Sequence, residues 1–457
     1  MKSIARTLLA AGASALALTA GAAQAQSPED SAGDLEARLA RLEAMVADLR
    51  GELEAARGET EATEDRVVHL ETHQPEPVPA ATAAQSPDAR APDGAGFMAG
   101  STRVTYGGFI DVDAHLTDLS DGDIAPTSIA RDFYIPGAIP VGGSGDTEPD
   151  FDFTAQGTRV FFATSTPTDL GDVTSRIEFD FLGSPGGDER VSNSYNPRVR
   201  VAWAQIGNWR IGQDWSTFQN TAAIPESASF LVASDGMIFV RQAQVRYTRG
   251  DFQFALENSD TTITPFGGGA RIDMGDGALP DLVARYNIGG DGRNIALTGI
   301  ARRLSAQGGG VDGDTFGWGL SVQGRVSLTD SSDLRVSLTG GEGVGRYIGL
   351  NAVNGAVATA TGDLDPIPVV GGLLAWRQEI GGGRRFNLGV SALEADNDVA
   401  LTGLSATRSV ASAFGALMIP LAPGVTISGE VLFGERKLED GTSGSITRAT
   451  VSTKYAF

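Results

Sequence analysis

Cysteine is absent from this chain and lysine nearly so: of 457 residues, only Lys2, Lys437 and Lys454 are lysines. Without cysteine no disulfide framework can hold an exported chain together, so its stability needs another source. Histidine is confined to His69, His73 and His115, which leaves little material for a metal centre or a nucleophile–base pair. No Gly-Lys pair exists to build a Walker A phosphate loop. After Gln26, charges and glycines interrupt every apolar run, and a membrane-crossing helix needs about 20 apolar residues. The formal net charge is −22, and neutralising phosphates takes basic surface, so nucleic acid is not an expected partner.

What the chain does contain begins with an address. Lys2 and Arg6 form a basic n-region, Leu8 to Leu18 is Ala/Leu-rich, and Ala23-Gln24-Ala25 is a small-x-small cleavage pattern. Residues 1–25 therefore read as a cleaved signal peptide; a retained N-terminal anchor is the weaker reading, because the stretch is short and Ala-rich.

Residues 34–73 read as a coiled coil. Leu35, Leu39, Leu42, Val46, Leu49, Leu53, Ala56, Thr60, Thr63, Val67 and Leu70 follow alternating steps of four and three. That 3.5 period favours self-association over a lone helix lying on another surface. The mixture of Leu and Val along the seam leaves dimer and trimer both open. Residues 74–102, opening with Gln74-Pro75-Glu76-Pro77-Val78-Pro79, read as a stiff Pro/Ala spacer.

The remainder, 103–457, is glycine-rich and built of short alternating segments. In the last of them, Thr447, Ala449, Val451, Thr453, Tyr455 and Phe457 occupy one face, and Arg448, Thr450, Ser452 and Lys454 the other. Aromatics at the outward end of a strand suit the interfacial girdle of a membrane barrel. Sixteen such segments begin near Arg103, Gln156, Asp172, Arg198, Trp209, Val240, Asp251, Asp281, Arg293, Asp314, Asp333, Val369, Arg384, Arg408, Val425 and Ile446. The fold class expected is all-β: a transmembrane antiparallel β-barrel of about 16 strands, preceded by the N-terminal α-helical coiled coil. A barrel of that size keeps a water-filled channel, and closure pairs every strand edge.

Alternation then assigns faces. An Arg on the lipid face costs about 2–4 kcal/mol near the midplane, which penalises a one-residue slip. Arg159, Arg176, Arg198, Arg200, Arg210, Arg246 and Arg285 accordingly face inward, with Glu178, Asp180, Gln242 and Gln244 among them. Such a ladder favours anions in a pore; pairing with Glu178, Asp180, Asp111 and Asp113 that merely stiffens the wall is the competing reading. Between Asp214 and Phe239 a long loop carries Trp215, Phe218, Glu226 and Phe230. It is too apolar for an ordinary surface loop, so it reads as folded inward, where it would constrict the channel, or as packed at an interface.

Several stretches resemble the DcaP-like family of trimeric outer-membrane porins. They are Tyr106-Gly107-Gly108-Phe109-Ile110-Asp111-Val112-Asp113-Ala114, Gln156-Gly157-Thr158-Arg159-Val160-Phe161, and Trp209-Arg210-Ile211-Gly212-Gln213-Asp214-Trp215-Ser216-Thr217-Phe218. With the aromatic end of the chain, this ordered set spans nearly the whole mature protein. The resemblance implies an outer-membrane homotrimer, its coiled coil in the periplasm, and passive uptake of small anionic solutes such as dicarboxylates. Arg159 and Arg210 lie inside the matching stretches. The acidic loops, such as Asp118-Leu119-Ser120-Asp121-Gly122-Asp123, depart from a simple anion funnel.

Two other functions compete. A barrel hydrolase needs a histidine beside its serine, and His115 alone lies within the barrel segment, so no enzyme activity is expected. Alternatively the coiled coil braces the barrel against the cell wall and transport is incidental. No cofactor is expected. His69 and His73 share a helix face without further ligands, and Asp121-Gly122-Asp123 and Asp312-Gly313-Asp314 are ordinary acidic loops by default, so no metal is expected either.

Overall fold

The structure is a computed structural model that describes residues 96–143, 148–183, 192–275, 277, 279–290 and 292–457. The signal peptide, the coiled coil and the spacer as far as residue 95 lie outside the described residues. The end of the expected spacer is not plain extended chain, since Phe97–Ala99 folds back on Thr102–Val104 as a small antiparallel hairpin.

Sixteen strands form the wall. They are β1 (Thr102–Leu119), β2 in two pieces (Asp150–Thr154 and Arg159–Thr166), β3 (Val173–Asp180), β4 (Arg198–Ile206), β5 (Trp209–Trp215) and β6 (Arg241–Arg249). Next come β7 (Phe252–Glu257), β8 (Asp281–Gly290), β9 (Arg293–Gly308), β10 (Val311–Thr329) and β11 (Ser332–Glu342). The wall ends with β12 (Pro368–Glu379), β13 (Arg385–Ala395), β14 (Thr407–Ala422), β15 (Val425–Leu438) and β16 (Ser443–Ala456). Each pairs antiparallel with its sequence neighbour, and β16 closes on β1 with Phe109 opposite Ala456 and Leu119 opposite Ile446. Fifteen strands begin within three residues of the positions the alternation marks. The exception is β2, which starts at Asp150 rather than near Gln156 because residues 155–158 interrupt its pairing with β1.

Most of the tight turns lie at one end. Gly207-Asn208 and Gly250-Asp251 join neighbouring strands, with Gly207 at φ 52° and Gly250 at φ 59°, the left-handed region glycine enters at little cost. At that end aromatics stand outward and touch across strands: Trp209–Tyr247 and Phe252–Tyr286 have ring centroids 4.8 and 4.7 Å apart. Tyr106, Phe254, Tyr455 and Phe457 are exposed on the same outer surface, an arrangement that suits the level of lipid headgroups. Among the described residues no helix is long and apolar enough to cross a membrane.

Polar side chains face the other way. Asp111, Asp113, Glu178, Asp180, Gln242, Gln244, Gln323 and Arg335 are buried on the inner face while Ile110, Ile177, Val245, Val322 and Leu338 are exposed outside. Three segments fill much of the interior. Residues 120–140, 216–240 and 343–367 contribute to two apolar clusters, one around Phe218, Ile238, Val344 and Tyr347, the other around Tyr134, Val232, Phe414 and Leu432.

Candidate functional site

The six arginines expected from β2–β6 do face inward, and each is tied to a carboxylate. Arg159 lies 3.5 Å and Arg176 2.9 Å from Glu178. Arg198 donates two hydrogen bonds of 2.8 Å to Asp180. Arg200 bridges Glu178 and Asp180 at 2.8 and 2.7 Å, while Arg210 and Arg246 share Asp214 at 2.7 and 3.7 Å. Arg241, which alternation alone does not assign, adds a seventh guanidinium 4.8 Å from the Trp215 ring centroid. From Arg159 across β3–β6, and leaving aside the exposed Arg249 at the tight turn, seven guanidiniums thus stand with three carboxylates among the described residues. Each of the six expected arginines is thus paired, and arginines outnumber carboxylates on this face.

A β-bulge produces the tightest part of this network. Phe179 is opposite Val199 and Glu178 opposite Val201, so Arg200 is an extra residue in β4. The bulge switches the faces of the residues after it. Val201 is buried, and Trp203 turns inward where Arg210 stacks over it at 4.0 Å, rather than outward as strict alternation from Val199 suggests. Arg176 stacks likewise on Phe161 at 3.8 Å.

The loop 216–240 folds into the barrel and follows the opposite wall. It leaves β5 with Ser216 and the Thr217 amide donating to Glu257 at 2.7 and 2.6 Å. The Phe218 carbonyl accepts from Gln323 at 2.8 Å, and the Gln219 carbonyl from Arg285 at 2.6 Å. Arg335 donates to the Ile224 carbonyl, and Glu226 accepts from Arg385 at 3.0 Å with Arg377 3.6 Å away. Glu430 receives the Ala228 amide and the Ser229 hydroxyl at 2.9 and 2.8 Å. At Gly236 the loop touches the wall backbone to backbone, because a Cβ there would stand 2.2 Å from Gly372 N and O. No larger residue fits without moving β12.

The four loop candidates therefore differ in role. Phe218 is fully buried, edge-on to Tyr347 at 5.8 Å, and wedges the loop against the wall instead of lining a passage. Glu226 is an anchor. Trp215 packs on Phe239 at 4.9 Å beside Arg241. Phe230 is the one that crosses toward the arginines, its ring 5.2 Å from Arg200 and 5.9 Å from Arg159, backed by Phe133 at 4.8 Å. Arg285, expected among the pore-lining arginines, also anchors the loop. His115 is buried on the inner face, its Nδ1 2.9 Å from Thr450 Oγ1. Arg335, Arg377, Arg385 and Glu430 carry no motif, but each is a charge at an inward position of its strand, the same signal that marks Arg159.

Asp235, on the loop, joins it to two neighbours: Tyr134 donates to it at 2.7 Å and Ser412 donates to its other oxygen. Burial pushes its carboxyl up to about 6, against the opposing pull of the Ser412 and Tyr134 hydrogen bonds. A carboxyl raised in the folded state stabilises below its unfolded value near 3.8 and loses that contribution as pH rises through about 6. Amide exchange in loop 216–240, corrected for intrinsic rates, is thus expected to quicken between about pH 4 and pH 6 and to level off above. Asp235→Asn should flatten that difference, and an equal pH response in the variant would refute the assignment.

Comparison with known proteins agrees with this architecture. The structure is similar to the outer membrane channel DcaP of Acinetobacter baumannii, with a TM-score of 0.65 and 22% identity over 79% of this chain and 100% of that one. It is also similar to an anion-selective porin from Comamonas acidovorans, with a TM-score of 0.50 and 13% identity over 78% and 100% of the two chains. No curated protein sequence matches. A family model described as DcaP outer membrane protein matches residues 88–354, a span that contains the arginine face and the whole inward loop, and on that match the chain belongs to the DcaP outer membrane protein family.

Proposed function

We propose that this outer-membrane barrel is a porin for passive diffusion of small hydrophilic solutes, preferring anions and in particular small dicarboxylates. The observation that carries the reading is the asymmetry across the interior. The inward loop is pinned from Arg246 of β6, on Thr217, along to Glu430 of β15, whereas Arg159, Arg176, Arg198 and Arg210 of β2–β5 pair with wall carboxylates. Arg159, Arg176, Arg198 and Arg210 keep 13 to 29% of their side-chain surface exposed there. Guanidiniums are geometrically matched to carboxylates, which they bind in bidentate fashion. Their fixed positive field in a water-filled passage raises the local anion concentration.

In this reading the chain acts as a homotrimer, with residues 1–25 removed, residues 34–73 forming a periplasmic coiled coil, and residues 74–102 spacing it from the barrel. Its partners are outer-membrane lipids, further copies of itself and small anionic solutes; contact of the coiled coil with the cell wall would be an additional, structural role. No catalytic step is assigned to it.

The test is conductance of the purified full-length mature protein in a planar bilayer under a salt gradient. Open channels with a reversal potential on the anion side are expected. A barrel that does not conduct removes the porin reading, and a cation-side potential removes the anion preference alone.

A further inference from the structure

The lumen is not the molecule's only concavity. On the outer surface, strands β9–β14 enclose an apolar trough of about 1040 Å³, walled by Trp318, Leu320, Leu338 and Val370 and floored at Gly340. These large side chains point away from the barrel, with Leu320 and Leu338 each 62% exposed. Gly340 leaves the floor low, and nothing but the Val369 carbonyl, at 3.9 Å, would lie near a Cβ there. The trough runs up to the end of the barrel that carries the long loops, where Arg408 and Glu394 also line a second cavity of about 350 Å³ together with Lys437.

The charges at that upper end are arranged unusually for so acidic a chain. Thr407 pairs with Leu438 and Ser409 with Lys437, so Arg408 is an extra residue that the resulting bulge turns outward. It stands beside one of only three lysines in the sequence. Both cations are half exposed, and their carboxylate partners are loose or solvent-exposed: Arg408 lies 3.9 Å from Glu394, and Lys437 3.1 Å from Glu435. Exposed pairs of this kind contribute little and exchange readily for a better-charged ligand. Glu342, Asp396 and Glu439 ring the rest of the rim. They repel an anion everywhere along it except at the Arg408–Lys437 pair.

We propose that this trough holds one outer-leaflet lipid, its acyl chains against Trp318, Leu320, Leu338 and Val370 and its phosphorylated headgroup on Arg408 and Lys437. A phosphate takes an Arg in bidentate fashion and a Lys as a point charge, and basic side chains beside apolar wall are the means by which membrane proteins select anionic lipids. The site is on the lipid side of the wall, so its occupancy is independent of the channel.

The test uses the full-length mature protein in detergent, loaded with lipid A and compared by native mass spectrometry with dephosphorylated lipid A and with phosphatidylcholine. One lipid A retained per chain is expected, with retention falling about tenfold in Arg408→Gln/Lys437→Gln and in Gly340→Phe, which fills the trough. Single-channel conductance should be unchanged in both variants, which also reports that they fold. Should Gly340→Phe fail to fold, the double substitution on the exposed rim still decides the matter. Equal retention of the dephosphorylated lipid, or undiminished retention in the double variant, overturns the proposal. So does loss of the oligomer without loss of lipid in Gly340→Phe, since the trough would then be covered by another copy of the chain.

Discussion

Asp180→Ala is expected to destabilise the barrel by about 3–5 kcal/mol, the cost of leaving a buried charge without its partner. Asp180 is fully buried and receives both Arg198 and Arg200, the latter itself only 2% exposed. Truncation leaves Arg200 with Glu178 alone, at 2.8 Å, while Glu178 already serves Arg159 and Arg176. Arg198 loses both of its 2.8 Å hydrogen bonds. The bulge depends on this pairing, because Arg200 has no backbone partner in β3 to hold it in place. Reversible urea unfolding in detergent measures the effect, and Asp180→Asn, which keeps the shape but not the charge, should lose somewhat less. A change under about 1 kcal/mol would mean that water already solvates Arg198 and Arg200.

The second large effect concerns selectivity. Arg159→Ala with Arg210→Ala should lower the anion-to-cation permeability ratio by roughly five- to tenfold at low salt. A unit charge about 8 Å from a permeant ion in water is worth about 0.5 kcal/mol, attracting an anion and repelling a cation, so one charge moves the ratio about fivefold and two, partly screened by salt, about tenfold. At high salt the difference should shrink, since the Debye length falls to about 3 Å at 1 M. Arg210 also stacks on Trp203, so conductance must be shown to persist before the ratio is interpreted. A ratio that stays where it was in the double variant would place the origin of selectivity elsewhere than on this face.

The alternation made the wall legible because a barrel strand has one lipid face and one wet face, and a misplaced arginine is costly. This is why the inward positions of Arg159, Arg176 and Arg210 are legible in the sequence alone. Reading failed where alternation itself fails. The bulge at Arg200 reversed the expected face of Trp203, and the break at residues 155–158 shifted the start of β2. The loop could be read as inward from its aromatics, but not how its side chains divide the work. Nothing local distinguishes Phe218, wedged under Tyr347, from Phe230, which reaches Arg200. Those roles depend on partners outside any local pattern, Arg200 for Phe230 and Tyr347 for Phe218, as also for Asn220 and Gln323.

The anchoring of loop 216–240 also bears on the order of assembly. Its tip waits for Glu430, 202 residues later than Ala228, and contacts of such separation form late because their loop-closure entropy must be met first. A barrel completed hairpin by hairpin would pin this segment step by step, on Arg285, Gln323, Arg335, Arg377 and Arg385 in turn, and would fix Ala228 and Ser229 only when β15 arrives. The interior filling of the barrel is then completed only with its last strands, so a nascent barrel is wider inside than the finished one.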